Sequence, residues 1–238
     1  MKRIVEPEWL DELPADDPLA RGSRHDLRRI NTWMGNANIF ARAVRAVNPD
    51  ATGARILDLG AGDGQFMAQV AERLPQSWAG TRLELLDRRA ALAPDANHSF
   101  RNCGWNVRTV CAEIPDWFVQ VPSEQWTIIC ANLFLHHFLE NALRRLLQLL
   151  SERTCLFIAV EPRRSFFALL ASWSVALIGC NQVTRHDAIV SVRAGFTRGG
   201  LTDLWPDKER WILEDRAAGL FSQLFIAKRK NDHVPQNA

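Results

Sequence analysis

Five short β-type runs alternate with helical segments between residues 55 and 160, and no other feature of the 238-residue chain restricts its fold as much. The runs are Arg55–Leu59, Arg82–Asp87, Asn106–Val110, Thr127–Ala131 and Cys155–Val160; helical segments lie near Gly64–Leu74, Ala90–Asn97, Pro115–Val121 and His137–Leu150. Strands separated by helices form βαβ units, which close right-handed and bury a parallel sheet between two helical layers. After Glu161 the alternation stops. A long apolar helix over Ser165–Cys180 and a shorter one near Asp187–Ala194 lead to two further runs, Trp211–Arg216 and Gln223–Lys228. The few residues between those runs, Ala217–Ser222, are too short for a crossover helix, so the pair is expected as an antiparallel hairpin. The expected fold is therefore α/β, with a seven-stranded, mostly parallel sheet, helices on both faces and an antiparallel C-terminal hairpin.

Residues 1–22, with Pro7, Pro14 and Pro18 among acidic side chains, read as an extended arm. From Ser23 the apolar residues Leu27, Ile30 and Met34, then Ile39, Phe40, Val44 and Val47, recur at helical spacing around Gly35–Asn36, giving two helices or one broken helix as an N-terminal cap over 23–48. One domain is expected over 23–230, with its core at 50–160, further helices and the hairpin at 161–230, and a tail at 231–238. A net charge of +2 is too small for a grip on polyphosphate, so nucleic acid is not expected as a partner. Five cysteines without a CxxC suggest neither a disulfide framework nor a metal centre, but reduced thiols in the core of a cytoplasmic protein, monomer or homodimer. The N-terminus lacks the apolar run of an export signal. The longest apolar stretch, Phe166–Cys180, is fifteen residues where a bilayer span needs about 20, so no stable membrane insertion is expected.

The stretch Ile56-Leu-Asp-Leu-Gly-Ala-Gly-Asp-Gly-Gln-Phe66 carries the chemistry. Gly60 and Gly62 allow a tight turn through which backbone can approach a ligand before a helix begins. A dinucleotide turn places a third glycine where Gln65 stands, and Asp58 would repel a pyrophosphate while attracting an ammonium or sulfonium. Asp87 closes the next strand, where a carboxylate can accept hydrogen bonds from both hydroxyls of a ribose. A nucleoside joined to a cationic side chain describes S-adenosyl-L-methionine.

With ILDLGAGDGQF (56–66), LELLDRR (83–89), TVCAEIPDW (109–117) and IICANLFLHHF (128–138) in this order, the chain resembles the class I, Rossmann-like S-adenosylmethionine-dependent methyltransferases over about residues 50–228, specifically the bacterial small-molecule group that includes quinone-biosynthesis enzymes. The resemblance implies that Asp58, Gly60, Ala61 and Gly62 hold the methionine part of the cofactor and that Asp87, with Arg88 beside it, holds the ribose. It further implies that Glu113, where the family usually has Asp, and the Ile114 amide read the adenine, and that Asn132 faces the reactive methyl.

Methyl transfer is an in-line displacement that needs a base only when the acceptor is a group such as a phenol. His136 and His137 follow the fourth strand at the ligand-binding edge, and either can serve as that base or pack and cap the next helix; His137 is the preferred candidate. His186 is a further candidate, with Asp187 expected to cap the helix that follows. In the resemblance the acceptor is roofed by Ser23–Val47 and Ser165–Phe196. Their Trp33, Met34, Phe40, Phe166, Phe167, Trp173 and Phe196 suggest a hydrophobic acceptor, phenolic, quinone-like or polyketide, and Arg24, Arg28 and Arg29 can meet an acidic group on it or form a solvated face. C- or N-methylation, a nicotinamide-dependent oxidoreductase and a non-catalytic cofactor-binding module remain as alternatives.

Overall fold

The strands β1 (Arg55–Leu59), β2 (Arg82–Asp87), β3 (Asn106–Cys111), β4 (Ile128–Asn132), β5 (Leu156–Pro162), β6 (Trp211–Ala218) and β7 (Ser222–Arg229) form one seven-stranded sheet in the order β3-β2-β1-β4-β5-β7-β6. The computed structural model describes residues 1–14, 16–48, 53–89 and 91–230; the expected tail at 231–238, the start of the expected core at 50–52 and the expected helix start at Ala90 lie outside the described residues. β1 to β5 run parallel, and β7 is antiparallel to both β5 and β6, as the short connection between the last two runs requires.

Because side chains alternate along a strand, the sheet buries two separate layers. Ile56, Ile128 and Ile158 pack with Phe40, Val44, Met67 and Phe100 from the helices α3 (Asn36–Val47), α4 (Gln65–Ala71) and α5 (Pro94–Asn102). Leu57, Leu59, Ile129 and Phe157 pack with Phe118, Leu143 and Leu147 from α6 (Ile114–Gln120) and α7 (Glu140–Ser151). Each large side chain so buried stabilises the fold by about 1.5–3 kcal/mol. The strand order reverses between β1 and β4, and in open α/β sheets that reversal opens a crevice at the carboxyl ends of the strands.

Over this crevice lie α1 (Trp9–Glu12), α2 (Pro18–Met34), α8 (Phe166–Ser174) and α9 (Gln182–Ala194). The N-terminal arm is thus not wholly extended. Asp17 accepts the Leu19 and Ala20 N–H groups and Pro18 occupies the first turn, so α2 starts five residues before Ser23. Gly35, at φ +69°, ends α2 and starts α3, making the cap two helices. The helix expected at Ala90–Asn97 is α5, which begins at Pro94 because proline suits a first turn and disrupts an interior one. The apolar helix expected to reach Cys180 stops at Ser174 and continues as one 3-10 turn, Val175–Ile178. α9 begins at Gln182, capped by Asn181, which places Asp187 inside the helix rather than at its end. Of the cysteines expected in the core, Cys130 and Cys180 are buried, whereas Cys111 and Cys155 are exposed on the strand ends.

Candidate active site

The crevice opens into a cavity of about 750 Å³ walled by the turn after β1, the ends of β2 and β4, and helices α2, α8 and α9. The alternation that sends Ile56 into the α3–α4 layer sends Asp58 the same way, so its carboxyl is almost completely buried, facing Cys130 of the adjacent strand. The Cys130 thiol donates to Asp58 Oδ1 at 3.5 Å, and among the described residues no cation pairs with this carboxyl. Burial, with a smaller push from Asp87, raises Asp58 to about 7 against the opposing pull of the thiol. Below pH 7 an acid held there is mainly neutral until a cation arrives.

The glycine turn is tied to the second acid. Gly62 N–H donates to Asp87 Oδ2 at 2.9 Å and Arg89 N–H to Oδ1 at 2.8 Å, so one carboxylate clamps the loops after β1 and β2. At Gly60, φ +67°, a Cβ would stand 2.2 Å from the Phe134 ring, and only glycine fits. Beyond β4, Asn132 Oδ1 accepts from Asn36 Nδ2 at 2.9 Å, and Asn36 Oδ1 accepts from Ser222, so α3 and β7 fix the side chain that ends β4. Leu133 follows in the left-handed region, φ +52°, a strain of about 1 kcal/mol or more of the kind found at ligand sites.

A buried relay roofs the cavity. Glu161, wholly buried at the end of β5, accepts N–H groups from Phe134, Leu135 and His136, and its Oε2 lies 2.8 Å from His136 Nδ1. On the other side His136 Nε2 faces Glu8 Oε1 at 3.4 Å, and Ser191 donates to the same oxygen. Burial alone would lower His136, but its hydrogen bonds to Glu161 and Glu8 prevail and raise it to about 9. Burial likewise pushes Glu8 up, and the hydrogen bond and charge of His136 overcome it, holding Glu8 at about 2. His136 is therefore an imidazolium between two carboxylates, unable to accept a proton from a substrate. Glu8, His136 and His137 offer ligand atoms within 4.8 Å of one another, and in this arrangement the Glu8 and His136 atoms are taken up by their pairing with each other. His137 lines the cavity beside it, with Nδ1 3.8 Å from Asp11 Oδ2. Burial, and then the charge on His136, lower His137 below the ordinary histidine value, leaving a neutral imidazole at neutral pH.

Residues 56–153 match the family model described as a methyltransferase domain. No curated protein matches the chain in sequence. Among solved structures, the pyocyanin biosynthetic protein PhzM superposes with a TM-score of 0.58 at 18% identity, over 93% of this chain and 61% of that one. The mitomycin 7-O-methyltransferase MmcR gives 0.54 at 17%, over 93% and 60%. The magnesium protoporphyrin IX methyltransferase ChlM from Synechocystis PCC 6803, solved with bound SAH, gives 0.50 at 10%, over 93% and 91%. At these identities the likeness is one of fold, the seven-stranded Rossmann-like arrangement, and the chain spans about three-fifths of the length of the first two.

The fold brings Asp58, Gly60, Ala61, Gly62, Asp87 and Asn132 onto one cavity, with His136 and His137 at its roof. Other expected residues fall elsewhere. Arg88 turns outward to pair with Asp11 at 3.3 Å and Glu113 at 3.9 Å, and Arg89 takes the cavity wall instead. Glu113 stands exposed at the start of α6, and the side chain of Ile114, the residue whose amide was expected at the adenine, is buried in the layer beneath that helix. His186 misses the cavity because the indole of Trp9 stacks on its ring, with centroids 3.9 Å apart. Its neighbour Asp187 does cap a helix, but not the one expected: it accepts the Trp9 and Leu10 N–H groups of α1. Trp33 and Met34 line the cavity, whereas Phe40 and Phe196 are core and Phe166, Phe167 and Trp173 face outward. Arg24 and Arg28 line the wall, Arg28 paired with Asp63 at 3.2 Å, while Arg29 pairs with Asp26 at 3.7 Å.

Several residues of the wall and of the relay above it carry little signal in the sequence. Glu8 and Asp11 belong to a segment whose composition suggests no burial, and only the apolar Trp9 and Leu10 between them hint that it docks. Glu161 carried a stronger hint, being an acid inside an otherwise apolar strand. Asn31 could not be found from spacing; its Oδ1 is buried in the wall without a hydrogen-bond partner among the described residues.

Proposed function

We infer that this chain transfers a methyl group from S-adenosylmethionine to a hydroxyl of an apolar small molecule. The observation that carries the reading is Asp58, a buried carboxyl without a cationic partner among the described residues, opening onto the same cavity as Asp87 and the glycine turn. A sulfonium or ammonium there supplies the missing charge and returns Asp58 to its ionised form. Asp87 is oriented by two backbone amides and keeps acceptor capacity for the hydroxyls of a ribose. When bound, the cofactor supplies an electrophilic methyl, and the protein has to present an acceptor in line with it.

Much of the wall on the other side is apolar: Leu27, Ile30, Met34, Ala168, Val175 and Val192 exclude water and favour an aromatic or aliphatic body. The amide of Asn31 offers that body one polar anchor, and Asn132 stands where β4 meets the cavity. His137, neutral and half-buried, is the base this arrangement provides; it takes the proton of a phenol-like hydroxyl as the oxygen attacks, and the acid Asp11 nearby offsets the charge it gains. His136 orients and polarises this end of the cavity and holds the roof shut. The O-methyltransferase named among the structural neighbours supports the O-methylation reading.

Incubating the protein with deuteromethyl-labelled S-adenosylmethionine and a panel of phenolic, hydroxyquinone and polyketide acceptors tests it. A labelled methyl ether in the extracted product is the expected result. S-adenosylhomocysteine binding without labelled product in any extract would favour the non-catalytic module, and label on carbon or nitrogen would replace the O-methyl assignment.

A further inference from the structure

Helix α8 is apolar on two opposite faces, and the fold covers only one of them. With successive residues turned by about 100°, Ala168, Ala171 and Ser172 point to the cavity. Phe166, Leu170 and Trp173 fall on the other side, with Phe167 next to them, and these four are 76, 53, 55 and 54% exposed. A single exposed apolar residue is ordinary, but a stripe of them two turns long marks a docking surface. The stripe is also continuous with the cavity, since the Phe167 ring stacks on Phe221 at 5.9 Å and Phe221 lines the wall.

The chemistry around the stripe says what it meets. From Arg163 to His186 the chain contains Arg163, Arg164 and Arg185 and no Asp or Glu. Outward tryptophan and phenylalanine, flanked in sequence by arginines in a segment without carboxylates, suit the headgroup layer of an anionic bilayer, where aromatic rings lie at the boundary of the acyl chains and guanidinium groups meet phosphates. At nine residues α8 is too short to span a bilayer, which takes about 20. Among the described residues no helix is long and apolar enough to do so. We propose that the outer face of α8 lies flat on an anionic membrane surface, and that the acceptor passes from the acyl-chain layer past α8 and Phe221 into the cavity. The docking stands on the surface alone; the route rests on the apolar-acceptor reading above.

Flotation with phosphatidylcholine vesicles and with equimolar phosphatidylcholine–phosphatidylglycerol vesicles tests the docking without any methyl transfer. The wild-type chain should float with the mixed vesicles and much less with the neutral ones. The variant carrying Phe166→Ser, Leu170→Ser and Trp173→Ser, none of them in the cavity wall, should lose at least about tenfold in vesicle partitioning while keeping its melting temperature and its stabilisation by S-adenosylhomocysteine. Phe166→Ser alone, at the most exposed position, should show part of the loss if the triple variant fails to fold. Wild-type protein that floats with neither vesicle, or variants that float like wild type, would overturn the docking. A wild-type dimer that the substitutions turn into monomer would assign the face to a second copy of the chain and overturn it equally.

Discussion

Replacing Asp58 by Asn separates the contribution of this carboxyl to folding from its contribution to binding, and the two should move in opposite directions. Burial raises Asp58 from 3.8 to about 7, so between those values the folded protein holds a proton that the unfolded chain has released. Stability must therefore fall as pH rises through that interval and level off above it. At 1.36 kcal/mol per pKa unit the cost above pH 7 amounts to about 4 kcal/mol. Asparagine has nearly the same shape and no charge, so Asp58→Asn should melt well above wild type at pH 8.5 and close to it at pH 4, in thermal scans without ligand. Binding shows the reverse. A cationic ligand requires the ionised form, so wild-type affinity for S-adenosylmethionine, measured by calorimetry, should drop about tenfold per pH unit below 7, and the variant should bind weakly at every pH. A variant no more stable than wild type at pH 8.5, or one that keeps wild-type affinity, would refute the burial argument and the cation argument respectively.

The roof should respond to alkali. His136, raised from 6.5 to about 9, contributes stability that is fully present below 6.5 and lost as pH climbs through 9, about 3 kcal/mol in all; hydrogen exchange in residues 3–12 should accelerate over that range, and unchanged protection would contradict the relay. Glu161→Gln breaks the same relay from its buried side and should cost about 3–5 kcal/mol in denaturant titrations, whereas a loss below 1 kcal/mol would mean that the pair is hydrated. His137→Ala should lower kcat by about a hundredfold or more with S-adenosylhomocysteine affinity intact, and an unchanged kcat would remove His137 as the base. Gly60→Ala forces a Cβ against Phe134 at positive φ and should destabilise by about 2 kcal/mol or more; adding Phe134→Ala should recover part of this, and no recovery would trace the cost to φ alone.

Period and spacing carried the sheet. Arg55–Leu59 and Arg82–Asp87 stand at their expected bounds because a buried parallel strand reads as an apolar run with a sharp end, and the six residues Ala217–Ser222 between the last two expected runs allowed a hairpin and nothing longer. Helix starts were harder to read, since they rest on single side chains such as Asp17, Pro94 and Asn181 competing with broad apolar patterns. The floor of the cavity was legible for the same reason as the strands: Asp58, Gly60 and Asp87 sit within a few residues of a strand end. Its roof was not. Glu8, His136, Glu161 and Ser191 meet across separations of 25 to 183 residues, and no local periodicity encodes such a meeting. His186 illustrates the converse, a histidine in a plausible place whose ring is taken up by Trp9.

The clasp formed by Arg3, Glu8 and Asp187 has a temporal meaning as well as a spatial one. Arg3 donates to the carbonyls of His136, Phe138 and Ala194, and Asp187 caps α1, so these residues find partners 133 to 191 positions further along the chain. Closing a loop that long is entropically disfavoured and slow compared with pairing β1, β2 and β4. The sheet with its glycine turn should thus acquire its native form first, and the chamber above it should be roofed only at the end of folding. The same order in reverse gives ligands a way in: opening the clasp exposes the chamber without disturbing a single strand.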